Sequence, residues 1–151
     1  MKKIITIIAL FFAVSSSFAQ LKVTEFKKAD VELIGKITPM GQMTVKLEKE
    51  GDKCIFTYRD AKFDKIDNYK SFEFNASDLD ALYELFTNFE GVEKGDQKAI
   101  SLGDGERLNL VYDKMLGKMY FTIYHTNAAG VEGQVQYLTP KQFKKLFGKK
   151  K

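Results

Sequence analysis

Cysteine, histidine and long apolar runs are all scarce in this chain of 151 residues. Cys54 is the only cysteine, so no disulfide can form within the chain and stability must come from a packed core. Its place in an alternating apolar stretch predicts a buried, inert thiol, with pairing to a second chain as the alternative. His125 is the only histidine. One histidine and one cysteine exclude the usual zinc sites. A nucleophilic triad needs a histidine placed by a carboxylate, but His125 follows an alternating stretch and adjoins Thr126 and Asn127, which predicts a solvated loop residue. There is no Gly-x-Ser-x-Gly elbow, and Gly103 and Gly105 are followed by neither Lys-Ser/Thr nor a helix, so no phosphate loop is present. Asp60, Asp64 and Asp67 lack the alternate-position spacing of a calcium loop and are interrupted by Lys62 and Lys65, which predicts a solvated connection. These absences point to a non-enzymatic protein with no cofactor and no metal. A small carboxylate-dependent enzyme is the alternative.

The longest apolar run is Ile4 to Val14, broken once by Thr6. It is too short to span a bilayer, which takes about 20 residues. Lys2 and Lys3 precede it, and Ser17 and Ala19 supply small residues at the −3 and −1 positions of a cut before Gln20. That order predicts a cleavable secretory signal over residues 1–19, leaving a single α+β domain over 20–151 in the periplasm or outside the cell. No cysteine adjoins the cut, so no lipid anchor is expected. The signal resembles those of small exported proteins of Gram-negative bacteria. No transmembrane segment is expected in the mature chain.

Charge is mild overall and uneven along the chain. The net charge is +4, and loss of Lys2 and Lys3 lowers it to +2. Thr139 to Lys151 holds six lysines and no acid, so the remaining body carries −4. An acidic body argues against nucleic acid as a partner, because such binding rests mainly on phosphate neutralisation. The lysines Lys144, Lys145, Lys149, Lys150 and Lys151 are candidate contacts to an anionic surface, which makes a peripheral envelope protein a second alternative. Residues 149–151 read as a Lys-rich tail.

What is abundant is aromatic: 13 Phe and 7 Tyr. Period-two alternation predicts strands at 43–47, 54–58, 108–112 and 119–123, with further strands at 31–38, 70–75, 98–103 and 131–138. Gly51-Asp52, Asp104-Gly105 and Leu116-Gly117 mark turns. Met43, Val45 and Leu47 match Leu108, Leu110 and Tyr112 at an offset of 65 residues, and Cys54, Phe56 and Tyr58 match Met119, Phe121 and Ile123 at the same offset. Each half then closes with an apolar helical stripe. In the first, Asn75 or Ser77 caps, Leu79, Leu82, Phe86 and Phe89 face inward, and Gly91 stops the helix. In the second, Thr139 caps, Pro140 opens the helix, Phe143, Leu146 and Phe147 face inward, and Gly148 stops it. We therefore expect two ββββα units, about 31–91 and 97–148, forming an internal pseudo-repeat whose antiparallel sheets are each covered by a helix. This order of four strands and a helix, twice, resembles the PUR-repeat and Whirly-like architecture. That resemblance implies single-stranded nucleic-acid binding as a third alternative.

On the strand around 119–124, Tyr120, Thr122 and Tyr124 fall opposite the core face, where Ile55, Thr57 and Arg59 stand in the first unit. Tyr120, Tyr124 and Arg59 are thus the candidate interaction surface, for another protein or a second copy in a homodimer. The expected function is an exported binding or self-associating protein.

Overall fold

The computed structural model of the chain describes residues 30–63 and 65–149. The expected export signal, Asp64, Lys150 and Lys151 lie outside the described residues. Two four-stranded antiparallel sheets and two short helices make up an α+β fold. The first sheet holds β1 (Val31–Ile37), β2 (Val45–Glu50), β3 (Lys53–Arg59) and β4 (Tyr69–Asn75) in chain order, and α1 (Leu79–Thr87) follows. The second holds β5 (Gln97–Gly103), β6 (Glu106–Met115), β7 (Lys118–Thr126) and β8 (Glu132–Val135), again in chain order, and then α2 (Pro140–Leu146).

Alternation decides which side of each strand is buried. Val45 and Leu47 on β2, Cys54, Phe56 and Tyr58 on β3, and Phe72 and Phe74 on β4 are all buried. So are Leu108, Leu110 and Tyr112 on β6 and Phe121 and Ile123 on β7. The register stacks these residues across strands. Leu47 pairs with Phe56 and Phe56 with Phe72, and the two phenyl rings stack with centroids 4.7 Å apart. The aromatic cluster continues onto both helices. Phe86 of α1 lies 5.6 Å from Phe121 and 5.2 Å from Phe143 of α2, while Phe143 stacks on Phe121 at 5.6 Å. Cys54 is free and fully buried, and burial pushes its thiol pKa up.

The helix ends differ in how they are made. Thr139 forms the expected cap: its hydroxyl accepts from the Gln142 N–H at 3.3 Å, and the Gln142 side-chain oxygen accepts from the Thr139 N–H at 2.8 Å. Neither Asn75 nor Ser77 caps α1 through its side chain. A 3-10 turn at Ala76–Asp78 leads into α1 instead, its tighter hydrogen bonds satisfying N–H groups that a cap would otherwise serve. The helix also ends at Thr87, short of Gly91, where the Asn88 N–H bonds back to Glu84 and the backbone turns extended.

β8 is shorter than the expected 131–138. Leu138 turns into the core and Thr139-Pro140 begin α2, so Tyr137 falls beyond the strand and is exposed. β8 also gains a neighbour from the first sheet. The chain runs on past Arg59, Asp60 bridges to Val135, and the Ala61 N–H donates to the Gln134 carbonyl at 2.8 Å. The two sheets are thereby joined through backbone as well as core. α2 packs on β1, where a Cβ added to Gly35 would overlap the Leu146 carbonyl. Glycine is required there by the close approach of one backbone to another.

Candidate functional site

His125 is not a loop residue. β7 continues to Thr126, and His125 keeps the inward parity of Phe121 and Ile123 and is only 2% exposed. Its strand neighbours Leu108 and Gly133 extend the sheet on either side, which carries the histidine into the interior. Its Nδ1 lies 3.0 Å from the Tyr58 hydroxyl, and its Nε2 lies 3.8 Å from Glu106 Oε2. A carboxylate facing Nε2 favours the proton there, which leaves Nδ1 to accept from Tyr58. Burial holds the imidazole pKa below its ordinary value against the opposing pull of Glu106, and Lys70 adds to the lowering. Burial likewise raises the Tyr58 hydroxyl pKa, with Asp60 and Glu106 adding to it. Gly133 makes this contact possible, since a Cβ there would overlap the Tyr58 hydroxyl and crowd the Lys70 stem.

Asp60, expected in a solvated connection, is likewise fully buried. Its Oδ1 accepts from the Gln134 and Lys62 N–H groups at 3.0 and 3.1 Å, and its Oδ2 meets Lys70 Nζ at 2.8 Å. Burial pushes this carboxyl up, but Lys70 and the two N–H donors outweigh it and hold the pKa below the usual range. Lys70 also donates to the Glu132 carbonyl at 2.9 Å. The pair therefore ties β3, β4 and β8 together, and its charges are compensated as a buried ion pair requires. Asp67, by contrast, is exposed and pairs with Arg59 at 3.0 Å. Among the described residues no three His, Cys, Asp or Glu side chains gather as a metal-ligating group.

Glu106 links this interior cluster to the surface. It lines a cleft of about 420 Å³ together with Lys53, Ser71, Glu73, Leu102 and Asp104. A second cleft of about 370 Å³ shares Phe74, Asn75, Leu102 and Gly103 with the first and adds Asp78, Leu82, Leu85 and Ile100. Together they form one groove between β4, the last strand of the first sheet, and β5, the first strand of the second, with α1 along one side. Its floor beside α1 is apolar, with Phe74, Leu82, Leu85, Ile100 and Leu102, while the first cleft is lined mainly by polar groups. Its rim is acidic, because Glu73, Asp78, Asp104 and Glu106 face a single cation, Lys53. Glu73 bonds Lys53 at 3.0 Å and, with Asp52 and Asp104, raises the lysine pKa.

The residues singled out in the sequence are spread over the molecule. Tyr120 and Tyr124 do share the outward face of β7, half-buried. Tyr120 donates to Asp113 Oδ2 at 3.2 Å and meets the Tyr137 ring edge-on at 5.6 Å. Arg59 belongs to the other sheet. Lys144 and Lys145 stand in the last turn of α2, where cations suit the helix dipole. Lys149 ion-pairs with Asp80 and lies over the Tyr83 ring at 5.4 Å. Among the described residues no helix is long and apolar enough to cross a membrane.

The groove and the interior cluster were not foreseen. A signal for the cluster does exist. Asp60 and His125 are one offset of 65 apart, and each stands two residues beyond the last apolar inward residue of its strand, Tyr58 and Ile123. Parity alone places both inside. Comparison with family models, with curated proteins and with solved structures finds no match.

Proposed function

We propose that this is an exported, non-enzymatic binding protein that takes an extended, basic peptide segment in the groove between β4 and β5. The observation that carries this is the groove itself: two strand edges flank an apolar floor under an acidic rim. An extended segment can add its backbone to a strand edge, seat alternate apolar side chains on the floor and direct the others at the rim. Four carboxylates against one lysine select lysine or arginine at those positions.

Titration calorimetry with an alternating lysine–valine octapeptide tests this. The wild type should bind it and ignore the glutamate–valine counterpart. Leu102→Lys, which places a cation on the floor, should weaken binding about tenfold or more. Equal binding of the two peptides would refute the assignment.

The fold supports a finer reading, that the chain is a tandem duplication of ββββα units akin to the PUR and Whirly-like architecture. Tyr58 pairs with Lys70 in the first sheet and Ile123 with Val135 in the second, so the offset of 65 extends from β3 and β7 into β4 and β8. Phe86 of α1 and Phe89 just beyond its end reach Phe121 of β7, while α2 lies on β1, which supports a reading in which each unit lends its helix to the other's sheet. Separately expressed units should then be unfolded alone and associate on mixing.

A further inference from the structure

The β6–β7 turn departs from the chemistry its geometry calls for. Met115 pairs with Lys118, so Leu116-Gly117 is a two-residue link, and φ is 50° and 78° at its two positions. Positive φ at both positions is the type I′ turn, which favours Asn, Asp or Gly at the first place because other side chains crowd the backbone there. The β5–β6 turn keeps that rule with Asp104-Gly105, at 49° and 81°. At the β6–β7 turn a leucine is held in the left-handed conformation and projects into water, 95% exposed, beside Met115 at 60%. The space beside Gly117 is open as well, with nothing within 4 Å of it.

The surroundings of this tip are cationic and aromatic. Lys114 and Lys118 flank it and are exposed. Asp113 beneath them is matched by Lys94 at 3.1 Å and by the Tyr120 hydroxyl. Tyr120 and the exposed Tyr137 form an edge-on pair further down the hairpin. An apolar tip suits the acyl boundary of an anionic bilayer, and the lysine collar and amphipathic tyrosines behind it suit the level of its headgroups. We propose that the β6–β7 hairpin tip, Met115 and Leu116 with Lys114 and Lys118, docks the protein on an anionic lipid surface. Charge decides against a second copy as the occupant, since two such tips would bring like collars together. The groove between β4 and β5 takes no part, so either assignment can fail alone.

Sedimentation of the chain from Gln20 onward with vesicles of equal parts phosphatidylglycerol and phosphatidylcholine, or of phosphatidylcholine alone, tests this. The wild type should partition onto the anionic vesicles only. Leu116→Asn should lower partitioning about tenfold or more, on the scale of one buried leucine, while its melting temperature stays the same or rises because asparagine suits the turn. Lys114→Gln with Lys118→Gln should weaken partitioning and remove its salt dependence. Lys144→Gln with Lys145→Gln should change little. The proposal is overturned if the wild type does not bind anionic vesicles, if Leu116→Asn partitions like the wild type, or if light scattering finds a lipid-free dimer that Leu116→Asn dissociates.

Discussion

A hydroxyl, an imidazole and a carboxylate lie inside this molecule, with a second, half-buried carboxylate beside them, at positions where an apolar side chain would fit the pattern of the strand. Tyr58, His125, Asp60 and Glu106 are each tied to a partner from another strand, and one glycine, Gly133, leaves the room they need. Gly133→Ala should therefore destabilise the fold by about 1–3 kcal/mol in urea unfolding, the usual range for overpacking. The histidine gives the molecule a pH dependence of defined sign. Its folded pKa lies below the ordinary 6.5, so the unfolded chain takes up the proton first. Stability should fall as pH drops below about 6.5, with a slope no steeper than about 1.4 kcal/mol per pH unit for one proton, and level off once the folded imidazole protonates. His125→Gln should remove that part of the profile. A second loss, from Asp60, should begin only as pH falls below the ordinary carboxylate value of 3.8 and continue to its lowered folded pKa. Hydropathy hid these residues. A buried polar group is stabilised by partners distant in sequence, such as Tyr58 and Lys70, so the apolar pattern of its own strand stops one inward position short of it.

Turns and caps follow local rules, and most of these elements can be read from neighbouring residues. Gly51-Asp52, Asp104-Gly105 and Leu116-Gly117 do lie at tight turns, and Thr139-Pro140 begins α2. Thr139→Ala should lose about 1 kcal/mol in the same unfolding assay, because the reciprocal bonds with Gln142 have no replacement. The start of α1 was less legible. Asn75 and Ser77 both fit a cap, but the chain enters through a 3-10 turn whose geometry depends on β4 delivering Ala76 beside Asp52, where its N–H donates to the Asp52 carbonyl at 2.7 Å. The groove was not legible at all. It is made by β4 and β5 and the helix between them in sequence, and no local pattern says how far apart two strand edges come to rest.

For the whole molecule, the core has no boundary between the two halves of the chain. Phe86, Phe121 and Phe143 come from α1, β7 and α2 and touch one another. Alternation predicted β2, β3, β6 and β7 and their inward faces, since burial on one face is a property of each strand alone. It did not predict that Asp60 would cross to β8 or that Lys149 would meet Asp80. A chain ending at Leu138 keeps every strand but loses Phe143, Leu146 and Phe147 from the interior. It should show no cooperative thermal transition by circular dichroism, whereas removal of Lys150 and Lys151 should leave the transition in place.

The packing of Gly35 against Leu146 also sets an order in time. The helix that rests on β1 follows all eight strands in the chain, so the first sheet waits for its wall until the strands of the second have been made. Contacts between such distant positions form slowly. A nascent chain of this design cannot complete its first sheet's packing while the strands of the second are still being made.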